Sequence, residues 1–295
     1  MSKEITQFKS DLDLKKLLAT EYMKQIQNFF GDEKQALRFL SGVMAAVQRT
    51  PKLLACTPLT VVNSFMTMAQ LGLMPSDVSG EAYVMPYKNK GVSEAQFQLG
   101  YKGLVTLFYR SGAVKDIVAE IVYEKDQFEY VNGVVDHRPD VFLDDRGPAK
   151  GAYVIIRLMT GGSITKVMSK KDILEIASKF SKSYYQWVDG KQTSHVSASS
   201  PWSEKNDPQL WMWRKTVLIQ AAKLVPKNET IMHAIAEDYK DSKISDKPEL
   251  IEAPDDVTKA LTMGHIQKEY EDPNNTTEGT NNTTGDAPNA DGLSG

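Results

Sequence analysis

The stretch FQLGYKGLVTLFYRSG, residues 97–112, carries an apparent strand into an apparent helix across two glycines, with Lys102 between them. If the helix runs from 101 to 111, Tyr101, Leu104, Val105 and Phe108 share one face at three- and four-residue spacing. Lys102, Thr106, Tyr109 and Arg110 then fall on the other. Gly100 and Gly103 allow close backbone approach, and a helix start offers free N–H groups and the positive end of its dipole. Two readings stay open: a seat for one phosphate with Lys102 supplying charge, or a tight strand-to-helix joint beside a solvated lysine. Neither G-x-x-x-x-G-K-[ST] nor G-x-G-x-x-G occurs, which excludes the standard nucleotide-binding loops.

Upstream, AYVMPYKNKG followed by SEAQFQLG reads as a β-hairpin turning at Asn89–Gly91, with Lys88 and Lys90 at its tip. Residues 12–50 read as helical up to Pro51. A second helix follows Thr57, with Pro58 at its first position, and stops at Gly72 and Pro75. Downstream, 113–123, 128–131, 153–159 and 164–168 read as strands. The pairs Asn132-Gly133 and Gly161-Gly162 are hairpin turns, so the sheet is expected to be antiparallel. Ser169 and Asp172 form a capping-box pattern before a helix with Ile173, Ile176, Ala177 and Phe180 on its apolar stripe. Residues 183–204 read as a long aromatic and Ser-rich loop, and 205–225 as a last helix closed by Pro226. The fold class expected is α+β: antiparallel sheet and hairpins flanked by helices.

Charge separates the chain into two objects. The whole carries −3, but 241–295 holds 12 acidic and 4 basic residues, a net of −8. That leaves 31 basic against 26 acidic residues in 1–240, a net of +5. A basic body with an acidic tail points to a polyanion partner. The single Cys56 excludes an internal disulfide and a cysteine-based zinc site. No apolar run has the length of a membrane span and the N-terminus is polar, so a soluble, cytoplasmic protein is expected.

Three further groups bear on chemistry. In SKFSKSYYQWVDGKQ, Lys182 and Lys191 interleave with Tyr184 and Trp187, so cations can follow a sugar–phosphate backbone while rings stack on bases. In WMWRKTVLIQAAKLVPK, Arg214, Lys215 and Lys223 stand on a largely apolar helix, where charge demands a carboxylate partner or an anionic ligand. In VVDHRPDVFLDDRG, Asp136, His137, Asp140, Asp144 and Asp145 offer ligands for a metal-dependent nuclease, although Asp is also a common turn residue beside Pro and Gly.

The order LTVVNSFMTMAQLGLMPS, GEAYVMPYKNKG, AQFQLGYKGLVTLFYRSG and then the Trp-Arg-Lys helix resembles the RecT family of phage single-strand annealing proteins, over roughly residues 30–240. The resemblance implies an ATP-independent protein that coats single-stranded DNA and anneals it to a complementary strand. It further implies assembly into rings or helical filaments, work alongside a 5′→3′ exonuclease and engagement of the host single-strand-binding protein. No covalent step, catalytic residue or cofactor is expected, with Mg²⁺ at most a counterion. On this reading 1–75 is a helical region for oligomer contacts, 76–240 an α+β DNA-binding core, and 241–295 an acidic, largely disordered tail. Lys88, Lys102, Arg110, Lys182, Tyr184, Trp187, Lys191, Arg214, Lys215 and Lys223 make up the expected DNA-binding set. The strand is held by its phosphates in a basic groove, with its bases facing outward. Competing readings are the metal-dependent nuclease using 136–145, a sequence-specific DNA-binding regulator and a scaffold protein.

Overall fold

The computed structural model describes residues 8–240 except 76–78, 90, 182, 189–190 and 227; of Trp187, Lys191 and Lys240 only the backbone is described. The acidic segment 241–295 and the tip residue Lys90 lie outside the described residues.

The N-terminal helical run is broken. α1 (Asp11–Leu17) passes through a π turn (Leu18–Tyr22) into α2 (Met23–Phe30), and Gly31 then ends the run at φ 67°. A residue with a Cβ is strained in that left-handed cap, which is why the helix stops at the glycine. Asp32 caps α3 (Glu33–Arg49) by accepting from the Lys34 N–H at 3.1 Å. α4 (Pro58–Gln70) starts with Pro58 in its first turn and ends before Gly72, φ 64°.

The hairpin β1 (Ala82–Asn89) and β2 (Val92–Leu99) pairs in the register Tyr83↔Gln98, Met85↔Gln96, Tyr87↔Glu94. Alternation sends Ala82, Val84, Ala95, Phe97 and Leu99 to the core. The outer edge of β2 is closed by α4 through side chains one turn apart: the Ala95 N–H donates to Thr60 Oγ1 (2.9 Å) and Ser64 Oγ donates to the Ala95 carbonyl (3.1 Å). That bonding removes an exposed strand edge. α5 (Tyr101–Arg110) follows directly.

β3 (Val114–Tyr123), β6 (Ala149–Leu158) and β7 (Ser163–Ser169) form an antiparallel sheet in the order β3-β6-β7. Between β3 and β6 rises a hairpin, β4 (Gln127–Val131) and β5 (Val134–Arg138), turned at Asn132 and Gly133, both at positive φ. β5 was not expected; residues 136–145 read as turn-like beside Pro and Gly, and VVDHR is a short strand without alternation of apolar and polar residues. α6 (Lys170–Phe180) begins at the anticipated capping box: Asp172 N–H donates to Ser169 Oγ (3.2 Å), and Ser169 N–H donates to the Asp172 carboxylate (3.3 Å).

The 183–204 loop contains a further hairpin, β8 (Tyr185–Val188) and β9 (Lys191–Val196). The last predicted helix is shorter than expected, α7 (Trp211–Ala222), and starts after Leu210 at φ 51°. An unanticipated α8 (Glu229–Lys240) follows. α7 lies across all three strands of the β3-β6-β7 sheet, while α8 packs against β2, α5 and α7. One cluster of buried side chains runs from Phe8 to Ile235, so the N-terminal helices and the α+β part share a core.

Candidate nucleic-acid interface

The glycines of the 100–103 joint admit the chain's own backbone. A Cβ on Gly103 would sit 2.0 Å from the Glu81 carbonyl oxygen, and one on Gly100 2.0 Å from that of Gly80. The Gly100 N–H donates to the Glu81 carbonyl at 2.8 Å. The Glu81 carboxylate in turn accepts from the Met74 N–H (2.9 Å) and the Thr106 hydroxyl (3.3 Å). This is the tight-joint reading: it fixes the exit of α4, the start of β1 and the first turns of α5 as one unit, and it leaves Lys102 exposed.

Lys102 stands on the wall of a cleft of about 540 Å³. One side is the outward face of the β1–β2 hairpin, with Tyr83, Tyr87, Gln96 and Gln98. The far side comes from α7 (Trp211, Met212, Lys215), the end of α6 (Phe180) and Trp202, and Asp238 and Tyr239 of α8 close one end. The rings are held rather than loose. Tyr101 and Trp211 centroids lie 5.2 Å apart and Phe180 and Tyr239 5.6 Å apart. Trp202 Nε1 donates to Ser181 Oγ (3.2 Å), Gln98 Nε2 donates to the Tyr87 hydroxyl, and burial pushes the Tyr239 phenol up from its ordinary pKa. The cleft is lined largely by rings, with Lys102 and Lys215 as its cations and the outward face of the hairpin as one wall.

The expected DNA-binding residues are spread unevenly around it. Lys102 and Lys215 both line the cleft, but only Lys102 lacks a carboxylate partner among the described residues. Lys215, 7% exposed, donates to Asp238 at 2.6 Å, and Asp238 also accepts from the Leu99 N–H at 2.8 Å. A charge so enclosed holds β2, α7 and α8 together and does not fit the expected role of an open phosphate contact. Arg214 pairs with Glu120 at 3.2 Å, donates to the Ala119 carbonyl, and lies 5.6 Å over the Trp211 ring. It is a partly exposed cation with a structural tether. Arg110 donates to the Gly72 carbonyl at 2.8 Å and so caps the C-terminal end of α4. Lys88 and Lys223 are exposed but outside the cleft lining. Tyr184 packs edge-on against Tyr185 at 4.9 Å. Lys182 lies outside the described residues, as do the side chains of Trp187 and Lys191, whose backbones belong to β8 and β9.

Sequence reading missed Tyr83, Tyr87, Gln96 and Gln98. Their signal was present: every second residue on the two strands of a hairpin shares a face. What it lacked was the position of α7, which turns that face into a wall.

Of the residues offered for a metal, His137 joins a cluster around Asp126, and Asp136, Asp140 and Asp145 make local contacts. Asp126, 1% exposed, accepts from Arg146 Nε (2.9 Å) and Nη2 (2.6 Å), His137 Nε2 (3.1 Å) and the Tyr123 N–H (2.8 Å). Burial alone would raise its carboxyl pKa. Those bonds outweigh burial and hold it down at about 2. Asp136 pairs with Arg138, Asp145 with Lys125, and Asp140 accepts from the Phe142 N–H. Among the described residues no three His, Cys, Asp or Glu side chains come together as a metal site. No described helix is long and apolar enough to cross a membrane.

The mixed α+β fold presents a ring-lined cleft to solvent, with Lys102, which has no carboxylate partner among the described residues, on its wall. The RecT family model matches residues 37–251, and the chain belongs to the RecT family. It is 29% identical over 213 residues to the protein named Protein RecT of Escherichia coli (strain K12), covering 70% of this chain and 72% of that one. It is 27% identical over 171 residues to the uncharacterized protein YqaK of Bacillus subtilis (strain 168), covering 58% of each. Membership places it among recombination proteins that bind and anneal single-stranded DNA.

Proposed function

We propose that this protein binds single-stranded DNA along the aromatic cleft and anneals it to a complementary strand without hydrolysing a nucleotide. The observation that carries this is the cleft wall itself: packed rings beside Lys102, a cation with no carboxylate partner among the described residues. Rings stack on any base and a lysine attracts any phosphate, so the grip is blind to sequence. The pairing of the two strands then supplies all the selectivity. Several protomers side by side align a strand from cleft to cleft, which keeps it extended and free of hairpins. Oligomerisation in this sense is part of the proposal, as are a partner 5′→3′ exonuclease and the host single-strand-binding protein.

The test is a fluorescence-transfer assay with two complementary oligonucleotides and no nucleoside triphosphate. The protein should accelerate pairing well above the spontaneous rate and leave two non-complementary strands unpaired. Pairing at the spontaneous rate, or only with ATP, contradicts the proposal. Cleavage of either strand in Mg²⁺ or Mn²⁺ would point to the nuclease instead.

A further inference from the structure

Gln96 is 6% exposed and lines the cleft, yet its side-chain amide has no hydrogen-bond partner among the described residues. Its neighbours on the hairpin face are settled differently: Gln98 donates to the Tyr87 hydroxyl, and Asn89 donates to Glu94 at 3.2 Å. Among the described residues no side-chain nitrogen or oxygen is buried without a partner, so the Gln96 amide atoms reach solvent in the cleft, and a ligand that displaces that water must supply the matching donor and acceptor. A primary amide offers both on adjacent atoms, the pattern that fits the edge of a nucleobase. Around it stand the surfaces such a base needs: the rings of Tyr83 and Tyr87 on the hairpin, and those of Tyr101 and Trp211 across the cleft. Lys102 on the same wall suits the phosphate of the same nucleotide.

We infer that the cleft is a nucleobase subsite: each protomer turns one base of the bound strand inward, against Gln96 and the rings, while the neighbouring bases stay outward and free to pair. The inference rests on the reading of the cleft as the strand's path, and it alters that reading in one respect. The strand is anchored by one base at intervals as well as by its phosphates. An anchor of this kind sets the register between protein and DNA, which stacking on any base and attraction of any phosphate do not. The base is unstacked at a cost that is smallest in single strands, so the subsite favours an unpaired strand over duplex.

The experiment compares the unmodified full-length protein on two oligonucleotides of equal length and charge, one oligothymidine and one with abasic sites throughout. Fluorescence anisotropy at fixed salt gives both affinities. The subsite predicts that the abasic strand binds about tenfold more weakly or worse. Gln96→Met, which keeps volume but removes the amide, should weaken the thymidine strand severalfold and leave the abasic strand unchanged. Equal affinity for both strands overturns the subsite while leaving strand binding intact. Failure of both strands to bind overturns the underlying reading of the cleft. A Gln96→Met protein that binds thymidine as tightly as the parent removes Gln96 from the role. The two-strand comparison needs no variant, so it decides the inference even if that substitution harms folding.

Discussion

Gly103 shows most plainly how one residue position serves both fold and site. The Glu81 carbonyl occupies the space of its absent side chain, so Gly103→Ala should abolish cooperative unfolding or lower the yield of folded protein, and Gly100→Ala should do the same. Circular dichroism during thermal denaturation reads this directly. Lys102→Ala is the contrasting case: an exposed side chain with no ion pair among the described residues to lose. It should leave the melting curve within experimental error and weaken single-stranded DNA binding. If Lys102 neutralises one phosphate, it also lowers the slope of log affinity against log salt by about 0.7. Asp126 carries a pH signature. Its carboxyl titrates at about 2 in the folded protein and at 3.8 ordinarily, so the folded state favours its charged form. The stability from that difference, about 2 kcal/mol, is fully present above about pH 4 and is lost as the pH falls towards 2. Asp126→Asn should flatten stability over that acid range, as measured by urea unfolding at a series of pH values.

Among the elements, those with local signals were legible in the sequence. The Ser169–Asp172 box, Pro58 at the head of α4, the β1–β2 hairpin and the 101–110 helix all announce themselves within a few residues. β5, β8 and β9 did not, because strands of four to six residues with mixed polarity carry no strong period of two. The site was harder still. The sequence leaves Arg214 and Lys215 between a carboxylate partner and an anionic ligand, because Glu120 and Asp238 are distant in sequence, 94 and 23 positions away, and no spacing rule finds such partners. The Lys215–Asp238 pair links α7 to α8 and, through the Leu99 N–H, to β2. Lys215→Met strands a buried carboxylate and should destabilise the protein by about 3–5 kcal/mol, measured by chemical denaturation. The double change Lys215→Met with Asp238→Asn should recover part of that loss, because no unpaired charge then remains.

For the molecule as a whole, the acidic segment 241–295 follows directly on α8, whose Asp238 and Tyr239 close one end of the cleft. A segment of net charge −8 attached there is proposed to compete with DNA phosphates for the same cations. Removing residues after 240 should therefore tighten single-stranded DNA binding, most strongly at low salt where screening is weakest. The proposed path takes the strand through the cleft between the β1–β2 hairpin and α7. Photocross-linking of a halogenated-uracil oligonucleotide to the full-length protein, followed by peptide mapping, tests it most directly. Adducts are predicted on the hairpin and α7, with Tyr83, Tyr87 and Trp211 foremost. Adducts confined to the β4–β5 hairpin or to the helices before residue 70, with none on the cleft walls, would contradict it.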